Sequence, residues 1–479
     1  MVRDMKILLV KPPLNPNMVT TTRIEPLELE YLAAAVHEHE VDILDMRVDR
    51  NLSKKLKNFK PHLVGTTAYT CDVNTSKRIL REVKTHDSSI HTVIGGIHAT
   101  FVPDDFAEPY IDTVFLGYAD FTFKAYVDTL EQGGDPGNIS DLGFVNGNKI
   151  TFTESKRDVG DLDQLPMPAR HLIRKYQNKY RDGWGDKKVA SVMSSRGCPF
   201  RCTFCACWKL MNGKLRTRKV ESIIEEIQSL PEEVDVIYFC DDNTLFDIKR
   251  AWHLSEMIQK LPVKKKIKLY ARADTVVKHP DLFESLREAG LEYLTVGFES
   301  SKDEELEKLN KKVSAATNNE AIRILKKLGI FVLPSFIVDP DYLEEDFEQL
   351  YNYVDEKCLF RPIFPVLTPS PGTDLYEETH DRLVIRDYDY YDYTHSVLPT
   401  KMSRRDFYHQ VADLYRKSYS IRRFIRFKIN GSRSFPADSE DFYAYNADGF
   451  SFFTLLLANL VALPMFMKLR NTHRSEPLV

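Results

Sequence analysis

Residues 194–208 read SSRGCPFRCTFCACW and set Cys198, Cys202 and Cys205 at C-x3-C-x2-C spacing, in a chain of 479 residues with seven cysteines in all. Any fold open to this chain must present that stretch as a loop on a rigid support. Three thiolates on one short loop suit an iron–sulfur cluster, because a loop can wrap soft ligands around a compact inorganic core. A [4Fe–4S] cluster takes four ligands, so three cysteines leave one iron open to a group that is not protein. A closed structural zinc site wants two cysteine pairs, and no second pair of this spacing occurs. The alternative is a set of ordinary reduced thiols. Cys207 as a fourth ligand would close the cluster; two residues beyond Cys205, it reads instead as a spare thiol beside the site.

The length provides for two or three domains with real cores. A net charge of −4 sets up no field that would draw nucleic acid, and none is expected as a partner. Few cysteines, several of them clustered, fit a reducing cytosol better than a disulfide scaffold. The opening MVRDMKILLV is short and runs straight into a strand-like segment, unlike a secretory signal.

Two stretches alternate apolar runs with amphipathic helices. In the first, residues 1–135, strand-like runs lie at 6–10, 41–44, 63–67, 92–94 and 113–116, with helical spacing at 27–37 and 76–84. That order implies a doubly wound α/β domain with ligands beyond the carboxyl ends of its strands. Three strand ends have the look of ligand loops: Gly65-Thr66-Thr67-Ala68, Gly95-Gly96-Ile97-His98-Ala99-Thr100, and Gly117-Tyr118-Ala119-Asp120. Glycine there lets backbone approach a bulky planar ligand, or else simply turns the chain. Residues 136–186 form a linker, with a hairpin around Asn146-Gly147-Asn148 and a stiff DLDQLPMP string.

In the second stretch, residues 187–390, strand-like runs at 189–193, 235–240, 268–272, 293–298, 331–337 and 363–368 alternate with helices at 220–230, 248–260, 282–289 and 318–328. Six βα units of this kind make a partial barrel, with chemistry at the carboxyl ends of the strands. Asp241 and Asp242 follow the second strand, where paired acids suit a cationic amine or ribose hydroxyls, or cap a helix. Arg272 ends the third, where a guanidinium can fork onto a carboxylate or form a surface salt bridge.

C-x3-C-x2-C with an aromatic, Phe204, before the last cysteine resembles the signature of the radical S-adenosylmethionine (SAM) superfamily. Gly297-Phe298-Glu299-Ser300 resembles that family's G-x-E-S signature. The resemblance implies SAM on the open iron, with Phe204, Asp241, Asp242, Arg272, Glu299 and Ser300 as its candidate contacts. Leu309-Asn310-Lys311-Lys312 and Pro371-Gly372-Thr373 are similar to further family motifs. GGIHAT and the other amino-terminal loops resemble the cobalamin-binding domain that precedes many radical SAM barrels. Thr66, Thr67, Ala68, Gly95, Gly96, His98, Thr100 and Gly117 are the cobalamin candidates. There is no D-x-H-x-x-G to mark a cobalt-ligating histidine, so His98 reads as a loop residue rather than a cobalt ligand. Tyr118-Ala119-Asp120 also stands where relatives carry an acidic G-E-x-E loop.

The fold expected is therefore α/β: a Rossmann-like cobalamin domain, a partial (β/α)6 TIM-type barrel, and a mainly helical tail over residues 391–479. In the tail, Arg416, Lys417, Arg422, Arg423, Arg426 and Lys428 alternate with Tyr419, Ile421, Phe424, Ile425 and Phe427. Such a helix lies on an anionic membrane or packs on the barrel. Residues 450–467 carry no charge, at the short edge of a membrane span. FIVDPDYLEEDFEQL and THSVLPTKM resemble the branch holding hopanoid C-3 methylases. That resemblance implies a cytoplasmic enzyme, peripheral to or anchored on the membrane, that methylates an unactivated carbon of a hydrophobic substrate and draws electrons from a flavodoxin or ferredoxin. The alternatives are a cyclase or rearrangement enzyme without net methyl transfer, and a non-catalytic corrin-binding membrane sensor.

Overall fold

The computed structural model describes residues 5–18, 22–157, 160–182, 187–420, 422–423 and 470. Its first unit is built on Lys6–Lys11 (β1), whose branched apolar side chains are buried on both faces. Around β1 lie Glu40–Asp45 (β2), Leu63–Thr67 (β3), His91–Gly95 (β4), Thr113–Phe115 (β5), Leu142–Asn146 (β6) and Lys149–Phe152 (β7), in the order β2-β1-β3-β4-β5-β6-β7. The first five run parallel, and β6 and β7 add an antiparallel hairpin at the edge, turning at Gly147. Helices Leu27–Ala35 (α1), Leu52–Phe59 (α2), Val73–His86 (α3), Ile97–Phe101 (α4) and Asp120–Glu131 (α5) return the chain. Leu8 and Val10 pack with α2 and α3, whereas Ile7 and Leu9 pack with α1 and α5. This is why the strand shows a continuous apolar run rather than an alternation. The order 2-1-3-4-5 reverses between β1 and β3, and opens a crevice beyond their carboxyl ends.

The second sheet runs β15-β14-β13-β12-β9-β8, from Arg181–Asp182 (β8) and Lys187–Val192 (β9), past a small hairpin Ser195–Arg196 (β10) and Arg216–Thr217 (β11), to Val236–Phe239 (β12), Lys266–Ala271 (β13), Leu291–Glu299 (β14) and Phe331–Phe336 (β15). Strands β9 and β12 to β15 are parallel. The short helix Cys207–Leu210 (α6) follows β10 and faces the cavity between the units; outside the strands pack Val220–Ser229 (α7), Ile248–Gln259 (α8), Ala273–Lys278 (α9) and Pro280–Glu288 (α10), then, after the short Asp303–Lys308 (α11), Ala315–Lys327 (α12) and Glu344–Glu356 (α13), followed by Asp374–Thr379 (α14) and Arg404–Ser418 (α15). Along β14, Leu294, Val296 and Phe298 face the helices, which leaves Tyr293, Thr295 and Gly297 for the inside. The sixth strand expected at residues 363–368 is reduced to two parallel bridges, Ser335 to Ile363 and Val338 to Val366. Pro362 and Pro365 bracket Ile363 and remove ladder donors, so the barrel stays open along this seam.

Helix α15 buries Phe407, Tyr408, Val411 and Leu414 in the barrel's core. Beyond it, Arg423 is buried and donates to the carbonyls of Val354 and Leu359 and to Asp355, at the carboxyl end of α13. That arginine belongs to the barrel, not to a membrane surface. Ile421, the aromatic and basic residues at 424–428 and the apolar run 450–467 lie outside the described residues. Among the described residues, no helix is long and apolar enough to cross a membrane.

Candidate active site at the domain interface

The loops after β3, β4 and β5 gather around a cavity of about 380 Å³. Thr66, Thr67, Ala68, Gly95, Gly96, Thr100 and Gly117 all line it. Gly96 has φ 104°, and a Cβ there would meet Thr67 Oγ1 at 2.6 Å and the Ala68 nitrogen at 2.8 Å, so only glycine lets these two loops close. Gly117 has φ 71° with open space where a side chain would stand. Thr100 Oγ1 accepts from the Gly117 N–H and donates to the Gly96 carbonyl, both at 2.9 Å, and so ties the loops together. His98 is not brought to the cavity. Its buried ring is held between Thr70 Oγ1 at 3.2 Å and Asp105 at 2.8 Å.

The opposite wall comes from the barrel, through Ser191, Met193, Ser195, Arg196, Cys207 and Asp242. The hydroxyls of Ser191 and Ser195 are buried without a hydrogen-bond partner. Buried polar groups are almost always paired, and both orphans belong to residues that line this one cavity, as expected of a wall that a bound group completes. With its floor of glycine and threonine, the cavity fits a broad flat group such as a corrin. Arg196 forks onto Asp120 at 2.5 and 3.0 Å and stacks over Tyr118. The Tyr118-Ala119-Asp120 loop, the departure noted in the sequence, thereby fastens the first unit to the start of the cysteine loop.

Both acids of the Asp241-Asp242 pair brace that loop. Asp241 accepts from the backbone of Ser194 at 2.6 Å and of Ser195 at 3.0 Å, and from the Ser194 hydroxyl. Burial raises its pKa against those bonds. Asp242 accepts from the Gly197 N–H at 2.9 Å and also lines the cavity. The Asn243 amide reaches Cys198 Sγ at 3.9 Å. Burial pushes the thiols of Cys198 and Cys202 up, and Cys205 lies within electrostatic reach of both. Hydrogen bonds from Cys207 hold Cys205 down. Among the described residues, no three His, Cys, Asp or Glu side chains close on a single metal ion. A cubane instead takes one thiolate at each of three separate corners, and three soft donors on one loop are the donor set it needs.

Lys311 gathers the remaining groups. Asn310 (φ 50°) and Lys312 (φ 58°) are left-handed on either side of it and aim its side chain inward. Its Nζ lies 2.6 Å from Glu299, itself at φ 63° where β14 ends, and 6.0 Å from the Phe204 ring centre. Arg272 donates to the Lys311 carbonyl at 2.8 Å and to Asp274 at 2.9 Å, and stacks 3.6 Å over Phe200. Both cations act on Cys202. Ser300 is turned away, donating to Glu305 at 2.5 Å. The structure thus assembles Phe204, Arg272 and Glu299 around Lys311, while Asp241 and Ser300 are committed to protein partners.

Behind the cavity lies a buried charge network that none of the sequence motifs marks. Arg170 donates to Glu226 at 2.9 Å, to the Ser191 carbonyl at 2.5 Å and to Glu25 at 3.4 Å. Glu25 accepts from the Ser191 N–H at 2.6 Å. Arg218 pairs with Glu226 and reaches the Tyr31 hydroxyl at 3.2 Å. The Glu30 carboxyl, buried without a hydrogen-bond partner, is pushed well up by burial and then by Glu25. The available signal was the run of acids in an otherwise apolar helix, EPLELEYLAAA.

Residues 192–354 match the Radical SAM superfamily, and residues 18–127 match the B12 binding domain. Over 432 residues the chain is 30% identical to the hopanoid C-3 methylase of Methylococcus capsulatus, across 86% of this chain and 81% of that protein. The chain belongs to the cobalamin-dependent radical SAM methyltransferase family. As a member it is an enzyme that uses a [4Fe–4S] cluster, SAM and cobalamin. It is also 28% identical to the anaerobic magnesium-protoporphyrin IX monomethyl ester cyclase of Cereibacter sphaeroides, over 85% of this chain and 69% of that protein. Its fold matches the cobalamin-dependent radical SAM enzyme OxsB, solved with aqua-cobalamin and SAM, at a TM-score of 0.70 and 15% identity over 97% of this chain and 76% of that one. It matches TsrM from Kitasatospora setae, solved with cobalamin and a [4Fe–4S] cluster, at 0.63 and 19% identity over 79% and 75%.

Proposed function

We propose that this enzyme methylates an unactivated carbon of a hydrophobic substrate, such as a polycyclic or isoprenoid lipid. One observation carries the reading: the loops of the first unit and the mouth of the barrel share a single cavity, and Cys207 joins that cavity to the cysteine loop. A substrate at this junction meets both cofactors without travelling. When bound, the cluster with SAM supplies hydrogen-atom abstraction and cobalamin supplies the methyl group.

Each group of residues has a role in this reading. Cys198, Cys202 and Cys205 hold the cluster. Arg272 and the Glu299–Lys311 pair orient SAM beside Cys202. Thr66, Thr67, Gly95, Gly96, Thr100 and Gly117 cradle the corrin, and Ser191 and Ser195 supply hydroxyls from the barrel side. The ion pair of Arg196 with Asp120 keeps the two walls in register and excludes water between them. The electron donor is a flavodoxin or ferredoxin, and the charge-free run 450–467 is the segment that contacts a membrane face.

The experiment is anaerobic incubation of the reconstituted enzyme with methyl-labelled SAM and a panel of hydrophobic lipids, read by mass spectrometry. A lipid that gains one labelled methyl supports the proposal. SAM cleavage with an unlabelled, ring-closed product supports instead the cyclase reading, which the cyclase relative favours. A chain loaded with iron and corrin that leaves SAM intact is the sensor.

A further inference from the structure

The inward face of the barrel carries aromatic side chains to which the site described above gives no role. On β13, Ile267, Leu269 and Ala271 pack against the helices, so strand alternation points Lys268 and Tyr270 into the lumen. On β12, Ile237 and Phe239 pack outward in the same way and turn Tyr238 inward. The two phenol rings meet edge to face, their centroids 6.0 Å apart. Strand β13 is in the middle of the sheet, yet Tyr270 shows 42% of its surface. A side chain so placed, pointing away from the covering helices, shows that surface to the lumen.

Strand register fixes the depth of that ring. The ladders set Ser191 beside Tyr238, and Tyr238 beside Lys268. Two residues farther on, the same register brings Met193, Cys240 and Tyr270 alongside one another. Met193 and Cys240 line the cavity, so Tyr270 continues that wall into the barrel. Arg272, which donates to the Lys311 carbonyl, is the next inward position on β13, about 7 Å farther along. Toward the amino ends of the strands the lumen closes on charges: Lys268 with Asp182 at 3.5 Å, and Lys266 and Lys187 with Glu292 at 2.6 and 3.4 Å. Each of these cations has a carboxylate beside it. An ionic group in the lumen would compete with one of the pairs, whereas an uncharged skeleton breaks none.

We propose that Tyr270 is a specificity-determining residue: its ring, backed by Tyr238, is the wall on which an uncharged carbon skeleton lies in the lumen below Arg272. The flat apolar face of the ring selects for a ring-bearing skeleton over an ionic head group. This deepens, and rests on, the methyl-transfer reading given above.

The test is equilibrium binding of dehydroergosterol, a fluorescent and uncharged tetracyclic alcohol, to the full-length enzyme loaded with cluster and hydroxocobalamin. It is run anaerobically and needs no turnover. Saturable binding is expected from the wild type. Tyr270→Ala should weaken it about tenfold, and Tyr270→Phe, which keeps the ring, should bind nearly as tightly as the wild type. Tyr270→Leu, apolar but without a flat ring, should show the same weakening and stands in where the alanine variant does not fold. Phe152→Ser, at an exposed position on the edge hairpin of the first unit, should leave binding unmoved. Cholesterol should displace the probe, and cholesteryl sulfate should do so about tenfold less well. The proposal is overturned by a wild type that does not bind the sterol, or by binding that Tyr270→Ala and Tyr270→Leu leave unmoved. An equal loss in Phe152→Ser, or equal displacement by the sulfate, overturns it too. All four outcomes leave the assigned function standing. SAM left intact by the loaded wild type removes that function instead, whatever the sterol does.

Discussion

At the scale of single residues, the cysteine loop and the Glu299–Lys311 pair give sharp expectations. Cys202→Ala should remove the cluster and spare corrin uptake, as read by iron content and the absorption of bound cobalamin; the reverse pattern would exchange the two assignments. The pair is buried, so Lys311→Met strands a carboxylate and should cost about 3–5 kcal/mol. A urea melt measures it, and pairing the change with Glu299→Gln should recover most of the loss. Residue identity was legible where chemistry needs a type at a spacing, as with the three cysteines. It was not legible where a side chain's direction depends on a distant partner. Asp105 draws the His98 ring away from the cavity, and the Ser194 and Ser195 donors take up the lone pairs of Asp241.

Among the elements, the strand-to-helix turns of the first unit were readable because glycine at a strand end has few other uses. Two of them can be told apart by substitution. Gly96→Ala adds a Cβ that collides with Thr67 and Ala68, so it should lower the melting temperature and abolish corrin uptake. Gly117→Ala meets open space and incurs only the left-handed backbone cost, about 1–2 kcal/mol. Thermal melts with cobalamin titration separate the two. The sixth barrel strand was misjudged in extent, because an apolar run says nothing about which N–H groups the flanking prolines remove. Helix α15 shows the opposite case. Its core face is settled by the burial of Phe407, Val411 and Leu414; of the basic stretch 416–428 that admitted a membrane or a packed reading, Arg423 packs against the carboxyl end of α13, and residues 421 and 424–428 lie outside the described residues.

The two units are joined across a largely buried charge network. Arg170, from the segment between the two units, bonds Glu25 of the first and Glu226 of the second. Replacing Arg170 with Met should leave Glu25 without a cation and Glu226 with Arg218 as its remaining one, and cost about 3–5 kcal/mol, visible as an earlier, broader unfolding transition in which the two units separate. The same seal governs traffic. Drawing the halves apart would expose Glu25, Glu30, Arg170, Arg218 and Glu226 together, so exchange of the corrin by that route should be slow beside a catalytic cycle. Once bound it should exchange slowly, and a chase with isotopically labelled cobalamin should show turnover far slower than that of SAM.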